Sequence, residues 1–199
     1  MARAFCFDLD GTITTTEILP CVASELGVSD EIATLTRATM DGHIDFESSF
    51  RLRCVVLGQV PPERIDAIVA YVPLNEAILS FIQTHRENAF IVTGNLDIWI
   101  RTIAERCGCE AFSSHATYEG THLRLQKVLC KADAVAALRK RGFDEIVAIG
   151  DGANDVPMFS AADVAIAYGG VHPPAASARA AAHYVVHEGD SLCRLLTAL

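Results

Sequence analysis

Two aspartates stand two residues apart in the run Phe7-Asp8-Leu9-Asp10-Gly11-Thr12. In extended backbone, alternate residues project to one side, so both carboxyls would meet there. Carboxylates that close repel, and one takes up a proton unless a cation is present. Magnesium suits that role, because it binds one or two carboxylates together with waters and phosphate oxygens. One carboxylate can then attack phosphorus and form an aspartyl-phosphate. Its neighbour can protonate the leaving oxygen and later activate water. A D-x-D pair alone also fits a strand-end turn leading into a helix cap. The apolar run before it and the Gly-Thr after it favour phosphoryl chemistry.

Three more stations fit the same chemistry. Gly150-Asp151-Gly152-Ala153-Asn154-Asp155 places two acids and an amide in one glycine-rich loop. It is no dinucleotide fingerprint, since a G-x-G-x-x-G needs glycine where Asp155 stands, and no G-x-x-x-x-G-K-[ST] loop occurs. Asp151 could complete a metal site with Asp8, while Asp155 also reads as an acid at a helix start. Thr93-Gly94 follows Phe90-Ile91-Val92 and offers a hydroxyl and backbone amides to phosphate oxygens. Lys131 opens a helix, where a cation opposes the helix dipole at a cost of some tenths of a kcal/mol. That placement suits a lysine that offsets phosphate charge.

The strands and helices that carry these residues alternate along much of the chain. Ala4–Leu9 reads as a buried parallel strand delivering Asp8 and Asp10 to its C-terminal end. Glu17–Leu26, Ser29–Met40, Asp45–Leu57 and Pro62–Tyr71 read as helices punctuated by Gly27, Gly42 and Gly58. Beyond them, Asn75–His85, Asp97–Arg106, Lys131–Arg141, Asn154–Ser160, Pro174–Ala182 and Ser191–Ala198 read as helices. Strands are expected at Ala89–Val92, Ala111–Phe112, Glu145–Ile149, Val164–Ala167 and Tyr184–Val186. His115–Tyr118 and His122–Leu125 flank Glu119-Gly120 as a hairpin. This alternation predicts an α/β fold with a doubly wound parallel sheet and a small all-helical insertion after the first strand. Residues 1–16 and 72–199 form the expected core and 17–71 the insertion. Ligands in such sheets sit beyond the C-terminal strand ends, where Asp8, Thr93 and Asp151 are placed.

The 199 residues carry a formal net charge of −9. Such a surface repels nucleic acid and anionic lipid, so neither is an expected partner. No apolar run approaches the roughly 18 residues a bilayer span needs. The N-terminus turns acidic too soon for a signal peptide, and a cytoplasmic protein without a fused regulatory domain is expected. Seven cysteines, an odd number with no C-x-x-C pair, read as reduced thiols.

Taken together, DLDGT at 8–12, Thr93-Gly94, Lys131 and GDGAND at 150–155 resemble the haloacid dehalogenase superfamily of phosphohydrolases, over nearly the whole chain. The resemblance implies a Rossmann-like core with a helical cap. It implies Asp8 as nucleophile, Asp10 as acid/base and Thr93 and Lys131 as phosphate ligands. Magnesium would be held by Asp8, Asp151 and the backbone carbonyl of Asp10, supported by Asn154 and Asp155. The cap resembles that of the phosphoserine phosphatase family. Glu17 then faces a substrate amine, Phe46 in Met40-Asp41-Gly42-His43-Ile44-Asp45-Phe46 is an apolar lid, and Arg53 grips a carboxylate. Thr93, Gly94 and Asn154 would also line the substrate. Thr93 stands where that family usually has serine, and Asn95 where it usually has a second glycine.

A small phosphate ester, phospho-L-serine first, is therefore the expected substrate, for a monomer or homodimer. Another metabolite phosphate, or phosphotransfer to an alcohol, keeps the same intermediate. A receiver-type phosphoacceptor switch is disfavoured by Asp10 and the helical insertion.

Overall fold

The computed structural model describes residues 2–199. Seven strands form one sheet in the order β4-β3-β2-β1-β5-β6-β7. They are β1 Arg3–Phe7, β2 Ala89–Leu96, β3 Glu110–Glu119, β4 His122–Lys127, β5 Glu145–Gly150, β6 Val164–Tyr168 and β7 Tyr184–Val186. All pairings are parallel except the β3–β4 hairpin. The chain lays β2 and β3 on one side of β1, then β5, β6 and β7 on the other, so the winding reverses between β1 and β5. That reversal opens a crevice at the C-terminal strand ends.

The alternation of side chains along each strand explains why both faces are covered. Phe5 and Phe7 of β1 point to one buried cluster with Ile91, Val147, Ile149 and Ile166. Ala4 and Cys6 point to the other, with Phe90, Val92, Ile146 and Ala148. Helices α5 (Glu76–Thr84), α6 (Asp97–Cys107) and α10 (Gly189–Ala198) supply apolar residues to the first cluster. Helices α7 (Lys131–Lys140), α8 (Val156–Ala161) and α9 (Ala176–Ala181) supply the second.

Four helices separate β1 from α5: α1 Ile18–Ala23, α2 Ser29–Met40, α3 Phe46–Leu57 and α4 Pro62–Ala70. Their apolar faces (Ile18, Val22, Ile32, Phe50, Leu57, Ile65, Val69) pack continuously with the first sheet cluster. The outgoing and returning segments are stitched together where they cross. Thr14 bridges Leu74, Thr15 N donates to Pro73 O at 3.0 Å, and Asn75 N donates to Ile13 O at 2.8 Å.

Two elements differ from the sequence reading. Strand β2 runs on through Thr93-Gly94-Asn95 to Leu96 instead of ending at Val92, because Leu96 still pairs with Ser114 of β3 across a register shift. And β3 is one ten-residue strand, not a short strand plus a hairpin arm, because its first part pairs with β2 and its second with β4.

Candidate active site

Asp8 is the first residue after β1, and its backbone N–H still donates to Ile149 O of β5 at 2.8 Å. Asp8 and Asp10 both keep extended backbone angles, and Gly11 turns the chain at φ 70°. A Cβ at Gly11 would lie 2.9 Å from Asp151 Oδ2 and 3.1 Å from His172 Nε2. Only glycine allows both that φ and that approach.

Asp8, Asp10, Glu17, Thr93, Gly94, Asp151 and Asn154 line one cavity of about 50 Å³ beneath the helical insertion. Phe46, Phe50 and Arg53 of α3 close it from above. The Phe46 ring lies directly on the Gly94 backbone, where any Cβ would collide with it. Phe46 stacks on Phe50 at 5.4 Å, and the Arg53 guanidinium sits 5.9 and 5.7 Å from the two rings. Arg53 is buried; its Nη1 donates to Thr36 Oγ1 at 3.1 Å, while its Nη2 has no partner.

Lys131 is not a surface cation. Its Nζ donates at 2.5 Å to Asp8 Oδ1 and at 2.5 Å to Asp155 Oδ1. Burial works to lower the lysine's pKa, and the two carboxylates outweigh it, so the ammonium stays charged. Asp155 Oδ2 accepts from the backbone N of Asp151 at 3.0 Å and of Gly152 at 2.9 Å. Asp155 therefore organises the loop that presents Asp151, and Gly150 leaves room for it, since a Cβ there would strike its carboxyl.

Four carboxylates and one guanidinium line the cavity, and acid of that density resists ionisation. Burial first, then the Asp155 charge, pushes Asp8 up to about 7 even with Lys131 pulling it down. Asp10 is raised well above its ordinary value by burial and then by Glu17. Asp151 is raised likewise by burial, then by Asp8 and Asp155. Asp8, Asp151 and Asp155 offer oxygens all within 4.8 Å of one another, and Asp151 Oδ2 is buried without a hydrogen-bond partner. An all-oxygen donor set with an orphaned carboxylate oxygen fits a hard divalent cation. The Asp10 carboxylate does not belong to that group: Oδ1 accepts from Ile18 N at 2.8 Å, and Oδ2 from Asn95 Nδ2.

The sequence reading missed His172. Its Nε2 lies 3.1 Å from Glu17 Oε1, and its Nδ1 3.3 Å from Asp151 Oδ2. The hydrogen bond with Glu17 raises its pKa against burial. No spacing announces it. It lies in the glycine- and proline-rich loop after β6, on the same sheet edge as the other stations. Thr14 and Glu17, spaced as a capping box would be, form none: Thr14 Oγ1 donates to Thr16 O at 2.8 Å, and Glu17 turns to His172.

A sheet reversing at β1/β5, with a paired-aspartate turn, a buried lysine and an acidic loop at its strand ends, defines a phosphohydrolase of the capped α/β class. The haloacid dehalogenase-like hydrolase family model matches residues 5–160, and the chain belongs to that family. It is similar to the phosphoserine phosphatase of Methanocaldococcus jannaschii, 28% identical over 179 residues that cover 83% of this chain and 85% of that one. It is 30% identical to that of Archaeoglobus fulgidus, over 83% of this chain and 52% of the relative. Among solved structures, a phospho-aspartyl intermediate analogue of phosphoserine phosphatase superposes with TM-score 0.86 at 26% identity, covering 100% of this chain and 99% of that one. The chain is a phosphomonoester hydrolase of this family.

Proposed function

We propose that the substrate is O-phospho-L-serine, cleaved to serine and phosphate with magnesium as cofactor. The observation that carries this is the pairing of orphans in one cavity. Arg53 Nη2, a buried donor, has no partner, and Asp151 Oδ2, a buried carboxylate oxygen, accepts no hydrogen bond and has only the His172 ring 3.3 Å away; Arg53 and Asp151 both line the space beside Asp8. Unpaired buried polar groups cost about 1–3 kcal/mol each. A carboxylate on the substrate would satisfy the first, and a metal ion the second. Glu17 lines the same cavity, and in this reading it takes the ammonium.

In this reading Asp8 attacks phosphorus, and Asp10 gives the departing serine oxygen its proton. Asp10 then takes a proton from water as that water attacks the aspartyl-phosphate. Lys131, fixed between Asp8 and Asp155, keeps the nucleophile oriented and offsets charge on the transferred group, with Thr93 and Gly94 beside it. Magnesium, held by Asp8 and Asp151 and supported by Asp155, Asn154 and the Asp10 backbone carbonyl, would neutralise equatorial oxygen charge. Residues 17–71 act as the cap over residues 1–16 and 72–199, with Phe46 excluding bulk water. No helix among the described residues is long and apolar enough to cross a membrane.

The test is phosphate release from phospho-L-serine, phosphothreonine, phosphohomoserine and sugar phosphates, in magnesium or in EDTA. Magnesium-dependent turnover favouring phospho-L-serine is expected. Asp8→Asn should lose about 1,000-fold or more in kcat, in keeping with removal of a covalent nucleophile. Arg53→Ala and Glu17→Gln should each lower kcat/KM on phospho-L-serine about 10- to 100-fold, the size of a lost charge-assisted hydrogen bond. Full activity of Asp8→Asn would remove the nucleophile assignment, and unchanged turnover by the other two would remove the amino-acid pocket.

A further inference from the structure

One of the two positions that depart from the family pattern touches the residue proposed as acid/base. Asn95 is 4% exposed and lies in the cavity wall. Its backbone N–H donates to Thr93 Oγ1 at 3.1 Å, holding the strand end in place. Its Nδ2 donates to Asp10 Oδ2, while Asp10 Oδ1 accepts from Ile18 N at 2.8 Å. Asp10 is therefore anchored at one oxygen by the first turn of α1 and at the other by a single side chain from β2. A glycine at position 95 would leave the second anchor out, and the carboxyl could rotate about its last bond.

We infer that Asn95 is a positioning residue: its carboxamide aims Asp10 at the ester oxygen that leaves. The inference rests on the phosphatase reading. In the first step the Asp8 oxygen–phosphorus bond forms as the bond from phosphorus to the alcohol oxygen breaks. The electron pair goes to that oxygen, which takes the proton of Asp10. An alkoxide such as that of serine is a poor leaving group without this proton. Misplacing a catalytic group by about 1 Å can cost about 100-fold.

The experiment compares release of the leaving group from two phosphates under single-turnover conditions with enzyme in excess, so that only the first step is read. Phospho-L-serine releases an alcohol and needs the proton. Acetyl phosphate releases acetate, a stable anion that does not. Asn95→Leu keeps the branched shape and removes the hydrogen bond; Asn95→Gly removes the side chain with no new contact. Both variants should slow phospho-L-serine cleavage about 10- to 100-fold, the share of general-acid catalysis lost by misaiming. Both should leave acetyl phosphate cleavage within about threefold of the parent. An equal loss on both phosphates, or no loss on either, would overturn the inference. If the parent protein cleaves another alkyl phosphate and not phospho-L-serine, the substrate reading fails and the same comparison proceeds with that ester. If it cleaves no alkyl phosphate, both fail.

Discussion

At the residue scale, the site is an acid cluster that one lysine and one arginine do not neutralise. Asp8 shows the consequence, since burial and the neighbouring carboxylates push it up to about 7. Protons and a metal ion then compete for the same oxygens. Magnesium affinity, measured by calorimetry, should fall as pH drops from 8 to 6, by up to about tenfold per unit for each proton displaced. An affinity that stays flat over that range would show that Asp8 is already ionised in the free protein. The same shift has a sign for stability. A carboxyl raised on folding contributes stability below its unfolded pKa near 3.8 and loses it as pH rises through about 7. Magnesium should accordingly raise Tm more at pH 8 than at pH 5. Of these residues, Asp8, Asp10, Lys131 and Asp151 were legible from motif and spacing. His172 was not, because its partners Glu17 and Asp151 lie 155 and 21 positions away in the chain.

At the element scale, turns and caps hold the site in place. Asn75 ends the returning crossing: its Oδ1 accepts from Ile78 N at 3.2 Å to cap α5, and its Nδ2 donates to Tyr168 Oη at 3.0 Å on β6. One side chain thus ties the helix start to the strand that leads to His172. Asn75→Ala should cost about 1–2 kcal/mol in urea unfolding, combining a lost cap with a lost buried hydrogen bond. A loss below about 0.5 kcal/mol would mean that water replaces both bonds. The boundary of β2 was the least legible feature here. Thr93-Gly94-Asn95 looks like a loop because glycine and asparagine punctuate turns, yet pairing with β3 on either side, at Val92 and Leu96, keeps it in the strand as an irregularity of register. From that irregularity the Asn95 side chain reaches Asp10.

For the molecule as a whole, the helical insertion roofs the cavity through Phe46, Phe50 and Arg53. The space left beneath it, about 50 Å³, is room for a few waters, and the insertion is expected to move when substrate enters. A Cβ built on Gly42, at the end of α2, would lie 3.9 Å from the Ala153 Cβ in the Asp151 loop, within disulfide range. Gly42→Cys with Ala153→Cys should therefore lock the insertion down on oxidation. The cysteine at φ 78° would cost on the order of 1 kcal/mol in backbone strain. Turnover of the oxidised pair should fall at least about tenfold and return with dithiothreitol, while the parent is unaffected, as expected where lid opening gates the reaction. Retained activity in the fully oxidised pair would show that substrate enters without that motion.

The features readable along the chain were periodic or local. The two-residue alternation of the strands, the three- and four-residue spacing of α1–α4, and the aspartate and glycine runs at strand ends are each written within a few neighbouring positions. They were enough for the doubly wound sheet, the helical insertion and the four stations. What each carboxylate touches depends on the packed fold. Asp155 turned out to spend its oxygens on Lys131 and two backbone amides, and Asp10 to be gripped by Ile18 and Asn95. Arg53 was left with an unpaired donor over the cavity. These contacts join residues up to 85 positions apart. Their directions are set by strand register and helix packing, which no local spacing encodes.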